Sequence, residues 1–192
     1  MRRIVGKRIA LILFVAGIVL LIAGVSLLTS QTGGSSGSET FPRAYLVSED
    51  SQDVLEKDKL APDIELRYSD GTITRLSDLR GRPVLVNFWA TWCPFCEAEM
   101  PAIQQAYERY KEDGFVVLAV DSREADGTVA DFVSDYNLTF TVAIDPTDAI
   151  FRMYRGAGWP QSVFVDRQGI VSDIYVGQLN STLLEQFIGA AR

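Results

Sequence analysis

The stretch from Pro83 to Cys96 constrains the fold more than any other part of the chain. Pro83–Ala90 reads PVLVNFWA, a nearly unbroken apolar run. A strand of that kind is buried on both faces, as in a parallel sheet covered by helices. It leads through Thr91-Trp92 into Cys93-Pro94-Phe95-Cys96, and Glu97–Glu112 then has helical composition and stops before Gly114. A buried strand therefore hands over to a helix at a pair of cysteines.

The flanking sequence fits the same class. Ile64–Tyr68 and Thr72–Arg75 are short strand candidates around Ser69-Asp70-Gly71, and Ser77-Asp78-Leu79 is one helical turn stopped at Gly81. Phe115–Asp121 is a second buried strand, Thr128–Tyr136 a helix, Thr139–Ile144 a strand, and Asp148–Tyr154 a short helix. Ser162–Asp166 and Ile170–Val176 flank Arg167-Gln168-Gly169 as an antiparallel hairpin. Ser181–Ala191 closes the chain as a helix capped by Asn180 or Ser181. This order predicts an α/β sheet with a parallel centre and an antiparallel edge.

The cysteine pair carries the chemistry. Helical spacing lets the two sulfurs meet across the first turn. Pro94 suits the first helical position, where its missing N–H is no loss. Cys93 then sits where free amides and the helix dipole favour a negative sulfur, the attacking species in disulfide exchange. Cys96, one turn in, suits the resolving role.

Other uses of the pair fit less well. The chain has two cysteines and no histidine, too few ligands for a structural zinc site. Covalent haem attachment needs a histidine after the second cysteine, where Glu97 stands. A purely structural disulfide closing so short a loop would stabilise little. No metal and no cofactor is expected. The net charge of −7 argues against a nucleic-acid partner, which needs clustered Lys and Arg.

The N-terminus has a different character. Arg2, Arg3, Lys7 and Arg8 precede Ile9–Leu28, which holds no charged side chain. As a helix this run would be about 30 Å long, enough to cross a bilayer. The basic flank belongs on the cytoplasmic side. Residues 1–30 are therefore expected to be a basic flank and a transmembrane anchor over about 9–28. The localisation expected is a single-pass cell-membrane protein, with the N-terminus cytoplasmic and the catalytic domain extracytoplasmic. A cleaved signal peptide is the competing reading, with Ala23-Gly24-Val25-Ser26 as a poor small-residue site. No cysteine follows the run, which excludes a lipidated anchor. Residues 31–58 read as flexible linker plus a loosely attached lead-in, and the folded domain as 59–192.

Val84–Pro101 reads VLVNFWATWCPFCEAEMP. Together with Ala61-Pro62-Asp63, LSDLRG at 76–81 and the late Pro160, it resembles the TlpA/ResA-type branch of thioredoxin-like proteins over essentially 59–192. The resemblance implies a thioredoxin fold with an N-terminal β-hairpin extension, behind one transmembrane helix. It also implies a tethered reductase of protein disulfides, for instance in cytochrome c maturation. Its partners would be protein disulfide or dithiol substrates, a membrane thiol-reductant donor and the lipid bilayer. By the same resemblance Cys93 is the nucleophile, Cys96 the resolving thiol and Trp92 the aromatic shielding them. Pro101 is the proline that kinks the helix.

Gly158-Trp159-Pro160 resembles the loop that sets a cis-proline against the disulfide, although the family has a smaller residue before this proline. Trp92, Pro94, Phe95, Trp159 and Pro160 would form the substrate groove, with local packing the alternative for Trp159. Glu99 corresponds to the acid that tunes the pair in this branch, and a solvent-facing acid is the alternative. The buried acid of thioredoxins proper would fall at Asn87, which cannot ionise. Phe95 places no charge between the sulfurs, which points to a reductant or a moderate couple. Two other functions compete. One is a peroxiredoxin-type thiol peroxidase, whose threonine register Thr91-Trp92-Cys93 does not match. The other is a non-catalytic thioredoxin-fold binding or metal-delivery module.

Overall fold

The computed structural model describes residues 40–47 and 54–192. The expected transmembrane segment lies outside these, and no helix among the described residues is long and apolar enough to cross a membrane.

The strands are β1 (Arg43–Leu46), β2 (Ile64–Arg67), β3 (Ile73–Arg75), β4 (Val84–Trp89), β5 (Val116–Ser122), β6 (Thr141–Asp145), β7 (Gln161–Val165) and β8 (Val171–Val176). The helices are α1 (Pro94–Tyr110), α2 (Asp126–Asp135), α3 (Ala149–Met153) and α4 (Ser181–Ala191), with 3₁₀ turns at Leu76–Leu79 and Lys111–Asp113. The strands form one sheet in the order β3-β2-β1-β6-β5-β4-β7-β8. β1, β6, β5 and β4 run parallel. β7 and β8 are antiparallel on one side, and β2 and β3 on the other. The parallel centre and antiparallel edge expected from the sequence are both present.

β4 shows why the centre holds. Leu85 and Trp89 point into one core with Met100 and Ile103 of α1 and with Leu184 and Ile188 of α4. Val84, Val86 and Phe88 point into a second core with Ile150 and Phe151 of α3 and with Tyr154. β5 repeats the alternation, with Val117 and Ala119 on the first side and Val116, Leu118 and Val120 on the second. Both strands are buried along their whole length. Each fully buried aliphatic or aromatic side chain here contributes about 1.5–3 kcal/mol relative to exposure.

One expectation is corrected. Arg43–Leu46, assigned to the 31–58 linker, is a strand inside the sheet, antiparallel to β2 and meeting β6 at Arg43 and Ile144. Its hold comes from far along the chain. Asp126 accepts from Thr40 N (2.6 Å), Phe41 N (3.4 Å) and the Arg43 guanidinium. Only Ala44 of the four is fully buried, so no apolar alternation marks the strand. The domain also begins ahead of Lys59. Leu55 is buried in the second core, and Asp58 N donates to Val171 O at 2.9 Å.

The C-terminal end of β6 builds the frame behind the Trp159 loop. Asp145 is buried, and its carboxylate accepts from Thr147 N (3.2 Å), Ala149 N (3.1 Å), Ile150 N (2.8 Å) and Phe151 N (3.2 Å). These include amides at the start of α3 that have no partner within the helix. α3 in turn presents Phe151, whose ring stacks on Trp159 at 4.4 Å. Replacing Asp145 by Ala strands these amides and should lower the unfolding free energy by about 3 kcal/mol. Asp145→Asn, which keeps one acceptor oxygen, should lose clearly less. Denaturant midpoints at unchanged m-value measure both, and equal losses would refute the assignment of this carboxylate as the cap.

Candidate active site

β4 ends at Trp89, and α1 starts at Pro94. Cys93 between them has extended backbone (φ −95°, ψ 108°) and is the N-cap residue of α1. Its Sγ accepts from Cys96 N at 3.2 Å, and its carbonyl accepts from Glu97 N at 3.0 Å. The amide that a serine or aspartate cap would satisfy is thus directed at sulfur. Pro94 occupies the first turn, as its missing N–H allows. Cys93 and Cys96 form a disulfide with Cα atoms 5.2 Å apart. Both are buried, Cys96 completely. α1 continues through Pro101 in its interior.

The second loop is delivered by β7. Phe88 of β4 pairs with Gln161 of β7, which sets Pro160 level with Trp89, the last residue of β4, at the end of the sheet where the cysteine turn begins. The Trp159–Pro160 bond is cis. Gln161 braces the approach: its amide Nε2 donates to Tyr154 O (2.8 Å), and its Oε1 accepts from Ala157 N (3.0 Å). Gly177 N donates to Pro160 O at 2.8 Å. Trp92 and Phe95 stand out from this turn, 59% and 63% exposed. Trp92 meets the edge of Trp159 at 5.5 Å between centroids. Trp159 itself is half-buried against Phe151, and its enclosed indole N–H has no acceptor. The structure thus brings Trp92, Cys93, Pro94, Phe95, Cys96, Trp159 and Pro160 to one end of the sheet. Trp92 stands at the exposed rim of this end, against Trp159.

Glu99 lies one turn beyond Cys96 and is fully buried. Its carboxyl oxygens accept from Asn87 Nδ2 (2.8 Å) and Leu179 N (2.7 Å). Burial pushes its pKa up to about 7, against the pull of those two hydrogen bonds in the other direction. The solvent-facing alternative for Glu99 is therefore wrong. Asn87, on β4, also donates to Ser162 Oγ of β7 at 3.0 Å. One amide side chain thus links the acid of α1 to the strand that carries Pro160.

Sequence reasoning did not single out Glu124. Its carboxylate accepts from Thr91 N and Thr91 Oγ1, both at 2.6 Å, immediately before Trp92 and Cys93. The contact joins residues 33 apart in sequence. The local signal available was an acid placed just after the polar end of a buried strand, Asp121-Ser122.

The AhpC/TSA family profile matches residues 58–174. The thiol-disulfide oxidoreductase ResA of Bacillus thuringiensis strain Al Hakam is 38% identical over 130 residues, covering 68% of this chain and 75% of the relative. ResA of Oceanobacillus iheyensis is 36% identical over 132 residues, covering 67% and 69%. Among solved structures, a Chlorobium tepidum chain assigned as the thiol:disulfide interchange protein DsbE superposes with a TM-score of 0.65 at 37% identity. That match covers 71% of this chain and 98% of the other. With its mixed α/β sheet, its paired cysteines at the head of α1 and these likenesses, the chain belongs to the AhpC/TSA family and, within its thioredoxin-like fold, to the ResA-type thiol-disulfide oxidoreductases.

Proposed function

We propose that this chain is a reductase of protein disulfides, tethered by its N-terminal apolar run to the outer face of a cell membrane. The observation that carries the reading is the Cys93 sulfur in the N-cap position of α1, accepting an amide hydrogen bond inside a disulfide with Cys96. A sulfur so placed is stabilised as the thiolate and is a good attacking and leaving group.

The reaction is a two-step exchange. In the reduced protein the Cys93 thiolate attacks one sulfur of a substrate disulfide. An S–S bond forms between Cys93 and the substrate, and the other substrate sulfur leaves and takes up a proton. Cys96 then gives its proton to the Glu99 carboxylate and attacks the Cys93 sulfur. The second substrate thiol is released, and the protein leaves as the Cys93–Cys96 disulfide. Two electrons have passed to the substrate, and a membrane thiol donor must return them. A pKa near 7 lets Glu99 accept and return a proton at neutral pH. Trp92, Pro94, Phe95, Trp159 and Pro160 form the groove that receives the substrate chain. The resemblance to the TlpA/ResA branch supports cytochrome c maturation as the process served, and the uncharged Phe95 supports flow in the reducing direction.

A peroxidatic reading is less well supported, because the Thr91 hydroxyl is committed to Glu124. A metal-delivery module would need ligands beyond two cysteines in a chain without histidine.

Two measurements follow. In an insulin-reduction assay Cys93→Ser should abolish turnover, while Cys96→Ser should accumulate a substrate–enzyme mixed disulfide visible on a non-reducing gel. Full turnover by Cys93→Ser would discard the mechanism. The second measurement concerns Glu99. The folded protein holds its proton more tightly than the unfolded chain between pH 4.5 and about 7. Below that window both states are protonated, and Glu99 contributes no difference. Stability is lost as pH rises through the window, by about 3 kcal/mol once ionisation is complete. In the oxidised protein, where the cysteines do not titrate, the stability of wild type relative to Glu99→Gln should fall by that amount between pH 4.5 and 8. Taking the difference cancels other titrating groups, Asp121 among them. A difference independent of pH would contradict a raised Glu99.

A further inference from the structure

We propose that Glu124 is a positioning residue for the exchange reaction: its carboxylate fixes the Thr91–Trp92 arm from which the attacking sulfur extends, and Asp121 sets how firmly it does so. This rests on Cys93 being the attacking thiol.

The geometry is a relay of short contacts. Both oxygens of Glu124 are used on Thr91, one by its backbone N–H and one by its hydroxyl, each at 2.6 Å. Hydrogen bonds to a carboxylate are roughly twice as strong as neutral ones. Thr91 is two residues before Cys93 and leads directly into Trp92 at the rim. On the strand side of the cysteine turn Cys93 N also donates to Ala90 O at 3.2 Å. The Glu124 clamp therefore fixes how the Cys93 sulfur is presented to α1 and to an incoming chain.

Asp121 is the support behind the clamp. It is fully buried on β5, facing Trp89 of β4 and Ile144 of β6 in the sheet register. Its Oδ1 accepts from Glu124 N at 3.0 Å, while its buried Oδ2 has no partner. A protonated Asp121 resolves that vacancy by donating its O–H to the Glu124 carboxylate. Burial first, and then the Glu124 carboxylate beside it, push the Asp121 pKa up to about 8. Other charged groups nearby are engaged elsewhere. Arg123 turns to Asp148 at 2.7 Å. Asp145 is occupied by the amides of α3, and Asp126 by residues 40–43. On α1, Glu99 faces Asn87 and Leu179, and the disulfide carries no charge. Loss of the Asp121 proton would thus set two carboxylates against each other beneath Thr91, with no cation paired to either among the described residues, and slacken the clamp.

The test has two arms. In the oxidised protein, where no thiol titrates, the Thr91 amide proton followed by ¹H–¹⁵N NMR should shift with a midpoint near pH 8. The shift should vanish in Asp121→Asn, whose side-chain amide donates to Glu124 at every pH. A Thr91 amide that stays flat from pH 6 to 10 in wild type overturns the role of Asp121. In the reduced protein, Glu124→Gln should lower kcat for insulin reduction by about tenfold with KM little changed, the effect of losing one charge-assisted bond. It should also move the pH profile of Cys93 alkylation upward. Thr91→Val, which removes only the hydroxyl donor, should give a smaller shift in the same direction, and it decides the matter if Glu124→Gln does not fold. Unchanged kcat and alkylation profile, with Cys93→Ser inactive, overturn the inference alone. An active Cys93→Ser overturns the exchange mechanism instead.

Discussion

The site depends on the register between β4 and β7. β4 is buried on both faces, so its residues have no freedom to slip. A shift of one position would turn Leu85 and Trp89 into the wrong core and Asn87 away from Glu99. With Phe88 locked opposite Gln161, the end of β4 and the start of β7 lie side by side. Cys93 and Pro160 are each a short step beyond those ends. Two segments far apart in the chain therefore meet because one pair of strands admits a single alignment. The aromatic rim, the Gln161 brace and the Asn87–Ser162 contact all follow from it.

Against that frame the buried acids stand out. Glu99 ties α1 to the loop ahead of α4 through Leu179 N, and to β4 through Asn87. Two hydrogen bonds do not offset the loss of water around a carboxylate, so the charged form is disfavoured. A core designed for stability alone would place an apolar side chain here. In a thiol-exchange protein a carboxyl that changes charge near neutral pH can receive the proton that the inner thiol must lose, and return it later.

Much of the fold was legible because its strongest signals are local. The doubly buried β4 and β5 read as apolar runs, the β7–β8 hairpin as two runs around Arg167-Gln168-Gly169, and α4 from Asn180, whose Oδ1 accepts from Leu183 N at 3.0 Å. The cysteine turn was legible for the same reason, since strand, cap, proline and helix are consecutive. β1 was not, because four residues with a single fully buried side chain carry no period. Their place is decided by Asp126, more than eighty residues on. Glu124 was hidden likewise: in sequence it is one acid among several, and only the folding of β5 beside β4 brings it under Thr91.

Glu99 and Asp121 also show how stability and chemistry are balanced around α1. Glu99 sits within the helix, below the inner sulfur. Asp121 lies at the end of the adjoining strand, behind the arm that carries the outer one. Both have carboxyls whose charged form is disfavoured by burial. Each contributes a cost that grows with rising pH, because the folded state releases its proton later than the unfolded chain does. In a chain already carrying a net charge of −7, burial delays the further negative charge, with the Glu99 proton held up to about pH 7 and that of Asp121 up to about pH 8. While both carboxyls keep their protons, neither opposes the field of the helix amide directed at the Cys93 sulfur. An ionised acid in either position would oppose that field and raise the energy of the thiolate. The burial that costs the domain stability at high pH is thus the same feature that holds a transferable proton at Glu99, one turn from the inner sulfur.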